Sequence, residues 1–314
     1  MIDIRHLISM QATADVFKEM NAEGSSNNVI EYYKNMPDDF LNIAGRHAGI
    51  QKEHLSIYRQ LVRGENNEFL DKLKGFEHQL QPGDLILVTG TSTSSKTLVK
   101  LQKSIYQKAR SSHIAVIQAE FICIDAMPEI GVSLRLISEI IKNVEDNWRV
   151  IRLKSLKETE FERLNQTCIY YLEQPYAILP LAKPAKKFSY CSELARKVYI
   201  NSEIKECGIP KNNIIKPCDF DKIADESSKW QDITESVRGF INFCIEYEDI
   251  LNFISKIYIN GVKLNRQRFD ERKKTKNNIK KMVKKGIVKS ETAAIINNKT
   301  DELESLLNYK FWDK

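Results

Sequence analysis

No stretch of the 314 residues approaches the roughly 18 consecutive apolar positions that a membrane-spanning helix needs. The opening residues, MIDIRHLISMQATADVFKEM, lack the basic start, unbroken apolar core and small-residue cleavage site of a secretory signal. The expectation is therefore a cytoplasmic protein, or one exported without a cleaved signal peptide. The six cysteines (Cys123, Cys168, Cys191, Cys207, Cys218 and Cys244) include no CxxC pair and no metal-like spacing, and read as reduced thiols. His6, His47, His54 and His78 show no ligand pattern, so neither a metal nor a cofactor is expected. No internal repeat is visible. What is there is an ordinary globular composition, 42% hydrophobic and 29% charged, long enough for two domains or one domain with large additions.

Charge is unevenly placed. Between Lys256 and Lys289 thirteen Lys or Arg face only Asp270 and Glu271, a net of +11, which leaves −5 for the rest of a chain whose total is +6. Phe269 is the only aromatic between Lys263 and Lys289. Such a segment suits generic electrostatic attraction to an anionic partner, nucleic acid or membrane, better than base stacking. The alternative is a solvated helical face.

Residues 1–80 read as helical: Leu55, Tyr58, Leu61 and Val62, then Phe69, Leu70, Leu73, Phe76 and Leu80, follow helical spacing. Breaks are expected at Gly24–Asn28 and at Asn35–Asp38. Gln81-Pro82-Gly83-Asp84 turns into an apolar strand, Leu85–Val88, followed by a Ser/Thr-rich loop from Gly90 to Ser95 and helical spacing over Thr97–Ala109. Two strands follow, His113–Ile117 and Phe121–Asp125. The three residues between them force an antiparallel hairpin, since a parallel return needs a dozen or more. A third strand is expected at Trp148–Leu153, and a helix at Glu158–Leu172 with Phe161, Leu164, Cys168 and Tyr171 or Leu172 inward. Beyond a loop from Pro175 come a helix opening near Cys191, a short strand over Asn212–Phe220, an apolar helix within Trp230–Ile259 and a last helix over Ala293–Leu307. In that apolar helix Val237, Phe240, Ile241, Cys244, Tyr247, Leu251 and Ile254 fall on the inner side.

The stretch LILVTGTSTSSKT nearly spells a strand followed by a phosphate-binding GxxxxGK[ST] loop, and FICID ending in Asp125 imitates a carboxylate strand. Two features count against nucleotide binding. Ser95 stands where the second glycine must adopt positive φ, and the 113–125 hairpin is antiparallel where such enzymes use a parallel sheet.

KFSYCSELARKVYI, Lys187–Ile200, carries the chemistry. Ser189 is positioned to cap the helix, Glu193 falls in its first turn, and Leu194, Val198 and Ile200 share an apolar face. A cysteine in a first helical turn faces unpaired N–H groups and the positive end of the dipole, which favours the nucleophilic thiolate. Taken alone, Cys191 reads equally as a small core residue. His113 opens one hairpin strand and Asp125 closes the other, so both lie at the same end of the pair. An Asp on one ring nitrogen fixes the tautomer that lets the other exchange a proton with a thiol. Glu129 is an alternative orienting residue. Tyr176 and Tyr190 are candidates for a cleft lining, Glu193 is a helix-start charge, and the other cysteines fit structural roles.

PGDLILV, SHIAVI, FICIDA, WRVIRL, the helix ending in QPYAI, FSYCSELARKVY and IIKPCDF occur in that order. Over residues 81–222 this resembles the circularly permuted NlpC-type papain-like cysteine hydrolases, the YaeF/YiiX-like group, in which the His strand precedes the Cys helix. The resemblance implies an α+β fold: a permuted papain-like core, with a small antiparallel sheet packed on helices, over 81–234. Helical regions flank it at 1–80 and 235–314. It further implies Cys191 as nucleophile, His113 as base and Asp125 as the third member, at a place where Glu is common in the family. The activity implied is an amidase- or peptidase-like hydrolase acting on an amide- or acyl-containing substrate (a peptide, a peptidoglycan fragment or a lipid-like molecule) through an acyl-enzyme. A cysteine-dependent acyltransferase on the same core is an alternative, as is a non-enzymatic module that binds anionic partners.

Overall fold

The computed structural model describes residues 31–178, 187–211, 214–305 and 312, with backbone only at 303 and 304. The chain divides into two compact units, residues 68–255 and residues 1–67 with 256–314. The expected break at Gly24–Asn28, His6 and the prolines at 180 and 184 lie outside the described residues.

In the second of these units, α1 (Asp38–His47) and α2 (Leu55–Arg63) follow the break at Asn35–Pro37 that the sequence predicts. Asp38 accepts ion pairs from Arg59 and Arg63 of α2. The two helices approach so closely at Gly45 that an added Cβ would lie 2.9 Å from the Tyr58 ring.

The unit 68–255 begins with α3 (Glu68–Lys74), shorter than its apolar spacing predicts. Phe69 of α3 stacks on Phe243 and meets Tyr247 edge-on. This aromatic packing makes the unit wider than the 81–234 span expected for the core. Next come β1 (Leu85–Val88) and α4 (Thr93–Gln102). The Ser/Thr run is thus a helix start where a loop was expected: Ser92 Oγ accepts from the Ser95 N–H, so the hydroxyls that read as loop chemistry are cap chemistry. The chain continues through β2 (His113–Ala119), β3 (Ile122–Met127), β4 (Gly131–Leu136), α5 (Ile137–Ile141), β5 (Arg149–Leu153) and α6 (Phe161–Tyr171). It then forms α7 (Cys191–Asn201), α8 (Pro217–Glu226), β6 (Trp230–Asp232) and α9 (Thr234–Glu246).

The six strands form one sheet in the order β4-β3-β2-β1-β5-β6, and every neighbouring pair is antiparallel. The fold is therefore α+β with a small antiparallel sheet. It lacks the parallel neighbours that a phosphate-binding loop of the GxxxxGK[ST] type requires. Strand β1 is buried along its whole length, as its unbroken LILV run implies. Helices α6 and α7 pack together, and α7 lies against β2 and β3.

Two expectations are corrected. Asn212–Phe220 ends not in a strand but in the start of α8, because Pro217 suits the first helical position and the Asp219 carboxylate accepts from the Lys216 N–H. The apolar helix expected within Trp230–Ile259 is α9, and it follows Trp230 of β6 because Asp232 Oδ1 accepts from the Thr234 N–H and hydroxyl and starts the helix there. Strand β4 was not anticipated at all. The unit ends in the first two turns of α10 (Glu248–Lys284), within which the boundary between the units falls, and α11 (Ser290–Ser305) follows. Ile254, expected inward, is exposed.

Candidate active site

Strands β2 and β3 pair Val116 with Ile124. Counted outward from that pair, His113 and Asp125 fall on one face, two residues apart, which is within side-chain reach across an antiparallel pair. His113 Nε2 donates to Asp125 Oδ2 at 2.9 Å, and Asp125 is completely buried. Helix α7 lies against these strands and opens at Cys191. His113 and Cys191 both line one cavity, and each shifts the titration of the other. The three residues picked from the sequence are thus brought together. Glu129 is not part of this group: it is exposed in the turn between β3 and β4.

Burial alone would raise the Cys191 thiol, but hydrogen bonding and charge from His113, with smaller help from Ser192 and the Ile114 backbone, bring it below the ordinary thiol range. Burial likewise opposes a charged imidazole. The hydrogen bonds from Asp125 and Cys191 outweigh it and push His113 up to about 10. Both shifts act in the same direction, favouring the proton on the ring over the thiol. Cys123, Cys168, Cys218 and Cys244 go the other way, each raised by burial. All six cysteines are free and buried, so what separates Cys191 is its partner, not its exposure.

Arg135 is the residue that sequence reasoning missed. It lies on β4, where its Nη1 donates to Asp125 Oδ2 at 3.0 Å and its Nη2 to the Glu139 carbonyl. His113 and Arg135 therefore share one carboxylate oxygen. The alternation in GVSLRL, with Val132, Leu134 and Leu136 buried and Arg135 on the opposite face, was the available signal.

The approach to α7 is held by buried polar groups. Ser189 does not cap the helix: Tyr190 is the N-cap residue, without a side-chain cap. Ser189 Oγ instead donates to Gln174 Oε1, and Lys197 Nζ donates to Ser189 Oγ and the Phe188 carbonyl. Lys197 is buried, and burial lowers its ammonium to about 8. Glu193, read as a helix-start charge, is buried and paired with Arg196. Gly131, at φ +81°, lets β4 start beside Gln174, where a Cβ would lie 2.4 Å from that residue's carbonyl oxygen. These contacts set Tyr176 beside Ser189. The Tyr176 phenol is pushed up to about 12, by burial and then by the Cys191 charge. Tyr190 is no cleft residue: its hydroxyl donates to the Ile215 carbonyl.

Cys191, His113, Arg135 and Tyr176 open onto a cavity of about 710 Å³. Its walls mix aliphatic groups such as Leu98, Met127 and Ile140 with the hydroxyls of Thr91, Ser92, Ser94, Ser95 and Ser112. The Ser/Thr run that imitates a nucleotide loop is one wall of this pocket. Among the described residues no cluster of three or more His, Cys, Asp or Glu could hold a metal ion.

No family model and no curated protein matches this chain. Among solved structures it is similar to the metalloprotein yiiX of Escherichia coli O157:H7, at 20% sequence identity and a TM-score of 0.38, over 49% of this chain and 96% of that one.

Proposed function

We propose that the chain is a cysteine-dependent hydrolase that cleaves an amide or related acyl bond through a thioester acyl-enzyme. The observation that carries this reading is that Cys191 and His113 line one large cavity, with His113 bonded to buried Asp125 and the thiol lowered while four other cysteines are raised. The Cys191 thiolate attacks the substrate carbonyl, and the oxyanion forms at the N-terminal end of α7, which no side chain caps. The His113 imidazolium gives its proton to the leaving group as the carbon–nitrogen or carbon–oxygen bond breaks, leaving the thioester. Neutral His113 then takes a proton from water as it attacks the thioester, and the acid product leaves with Cys191 restored. Asp125 accepts from Nε2 and orients the ring.

A chloroacetamide probe at near-neutral pH, followed by peptide mapping, tests the nucleophile. Cys191 should be labelled first, and His113→Ala should slow its labelling. A panel of peptide amides and acyl esters then tests the reaction, with Cys191→Ala as the control. Preferential labelling of another cysteine, or hydrolysis that survives in Cys191→Ala, would overturn the reading.

A further inference from the structure

The basic segment is a helical hairpin with a defined tip. Lys276 of α10 pairs with Asp301 of α11 at 2.6 Å, and Thr275, Ile279, Ala293 and Thr300 are buried along the two helices. From Arg272 to Ser290 there is no acidic residue, and the eight cations from Lys273 to Lys289 are all lysine. Lys280, Lys281, Lys284, Lys285 and Lys289 are exposed, and none has an ion-pair partner among the described residues. Helix α10 closes through Gly286 at φ +68°, with the Ile287 N–H bonded back to the Met282 carbonyl. This cap leaves Ile287 64% exposed in the middle of the lysines.

An aliphatic side chain gains nothing from a nucleic-acid backbone, and no aromatic residue lies between Phe269 and Tyr309 to stack on bases. Arginine, which reads base edges in bidentate fashion, is also absent after Arg272. Lysines that attract anionic headgroups, set around one apolar residue that reaches the acyl boundary, match a bilayer surface instead. We propose that the hairpin tip, Lys280, Lys281, Lys284, Lys285 and Lys289 around Ile287, docks the protein onto membranes containing anionic phospholipid. Docking is peripheral, since no helix among the described residues is long and apolar enough to cross a membrane.

Co-sedimentation of the full chain with vesicles tests this, using phosphatidylcholine alone and phosphatidylcholine mixed with phosphatidylserine. The protein should sediment only with the mixed vesicles, and raised salt should release it. Each lysine near the surface contributes roughly five-fold, so Lys280→Gln/Lys284→Gln/Lys285→Gln should weaken binding by about 100-fold. Ile287→Ser should weaken it by about ten-fold with the salt dependence unchanged. All variants should retain the wild-type circular dichroism spectrum and thiol labelling. Equal sedimentation with both vesicle types would overturn the proposal. So would mixed-sequence RNA bound more tightly than the vesicles, with Ile287→Ser affecting neither.

Discussion

Helix α7 buries Glu193, Arg196 and Lys197 within its first seven residues, whereas α10 turns Lys273, Lys280, Lys281 and Lys284 outward. The same residue types do different work. A buried charge must find fixed partners or lose its solvation energy, so Lys197 locks Phe188 and Ser189 to the start of the cysteine helix. An exposed charge needs no partner and acts through its field, which favours many lysines over a few well-placed ones. Local sequence does not distinguish the two, since both helices read as amphipathic with charges.

The largest expected effect lies at the N-terminal end of α7. His113→Ala and Cys191→Ala should each lower activity by about 10⁴-fold or more, and the double variant should lose little further, because residues acting as a unit are not additive. Asp125→Asn should cost less activity but also lower the thermal midpoint. Arg135 would lose an ionic partner at a buried site, a cost of roughly 1–3 kcal/mol. Asp125→Glu should retain measurable turnover. Full activity in Asp125→Ala alongside a dead Glu129→Ala would show that the orienting residue is Glu129.

Stability sharpens the contrast between the helices. Lys197→Met should destabilise the fold by roughly 1–3 kcal/mol, because Ser189 Oγ and the Phe188 carbonyl lose a buried donor. Lys280→Gln should stay within about 0.5 kcal/mol of wild type. The pH dependence has a defined sign. The folded-state value of Lys197, about 8, lies below its unfolded value, so between them the unfolded chain binds more protons and this group makes stability rise with pH. His113 is raised to about 10, so its contribution is present below the ordinary histidine value and is lost as pH rises through 10. The difference between wild type and Lys197→Met isolates the lysine. If denaturant midpoints for the two diverge no further from pH 8 to 10, the buried ammonium is misassigned.

The smallest expected effect concerns Arg135. Turnover should fall on its alkaline side near pH 10, as the imidazolium that protonates the leaving group is lost. Arg135 competes with His113 for Asp125 Oδ2, so Arg135→Met should leave the carboxylate wholly to the ring and move that limb upward. A downward shift would mean that Arg135 supports the ring rather than competing with it.

Much of the site was readable because its parts are local. The short gap between β2 and β3 dictates an antiparallel pair, and counting from its ends brings His113 to Asp125. The start of α7 at Cys191 follows from the apolar spacing of Leu194 and Val198. Arg135 was missed because β4 is a short edge strand whose role appears only once Cys123 is opposite Arg135 in the register. Ser189 was misread as a cap because a serine before a helix is usually one, and nothing local reveals that its hydroxyl donates to Gln174 and accepts from Lys197.

By itself the sequence determined the strand pairing of the hairpin, the chain order of His113 and Cys191, and the segregation of positive charge after Lys256, since each depends on spacing or composition within a few dozen residues. Only the tertiary structure decided that the Cys191 thiol is lowered, that Arg135 shares the carboxylate, that the Ser/Thr run walls the cavity, and that the lysines surround an exposed Ile287. Those properties depend on burial and on contacts between residues far apart in the chain, where the cost of removing charge from water is set by what packs around it.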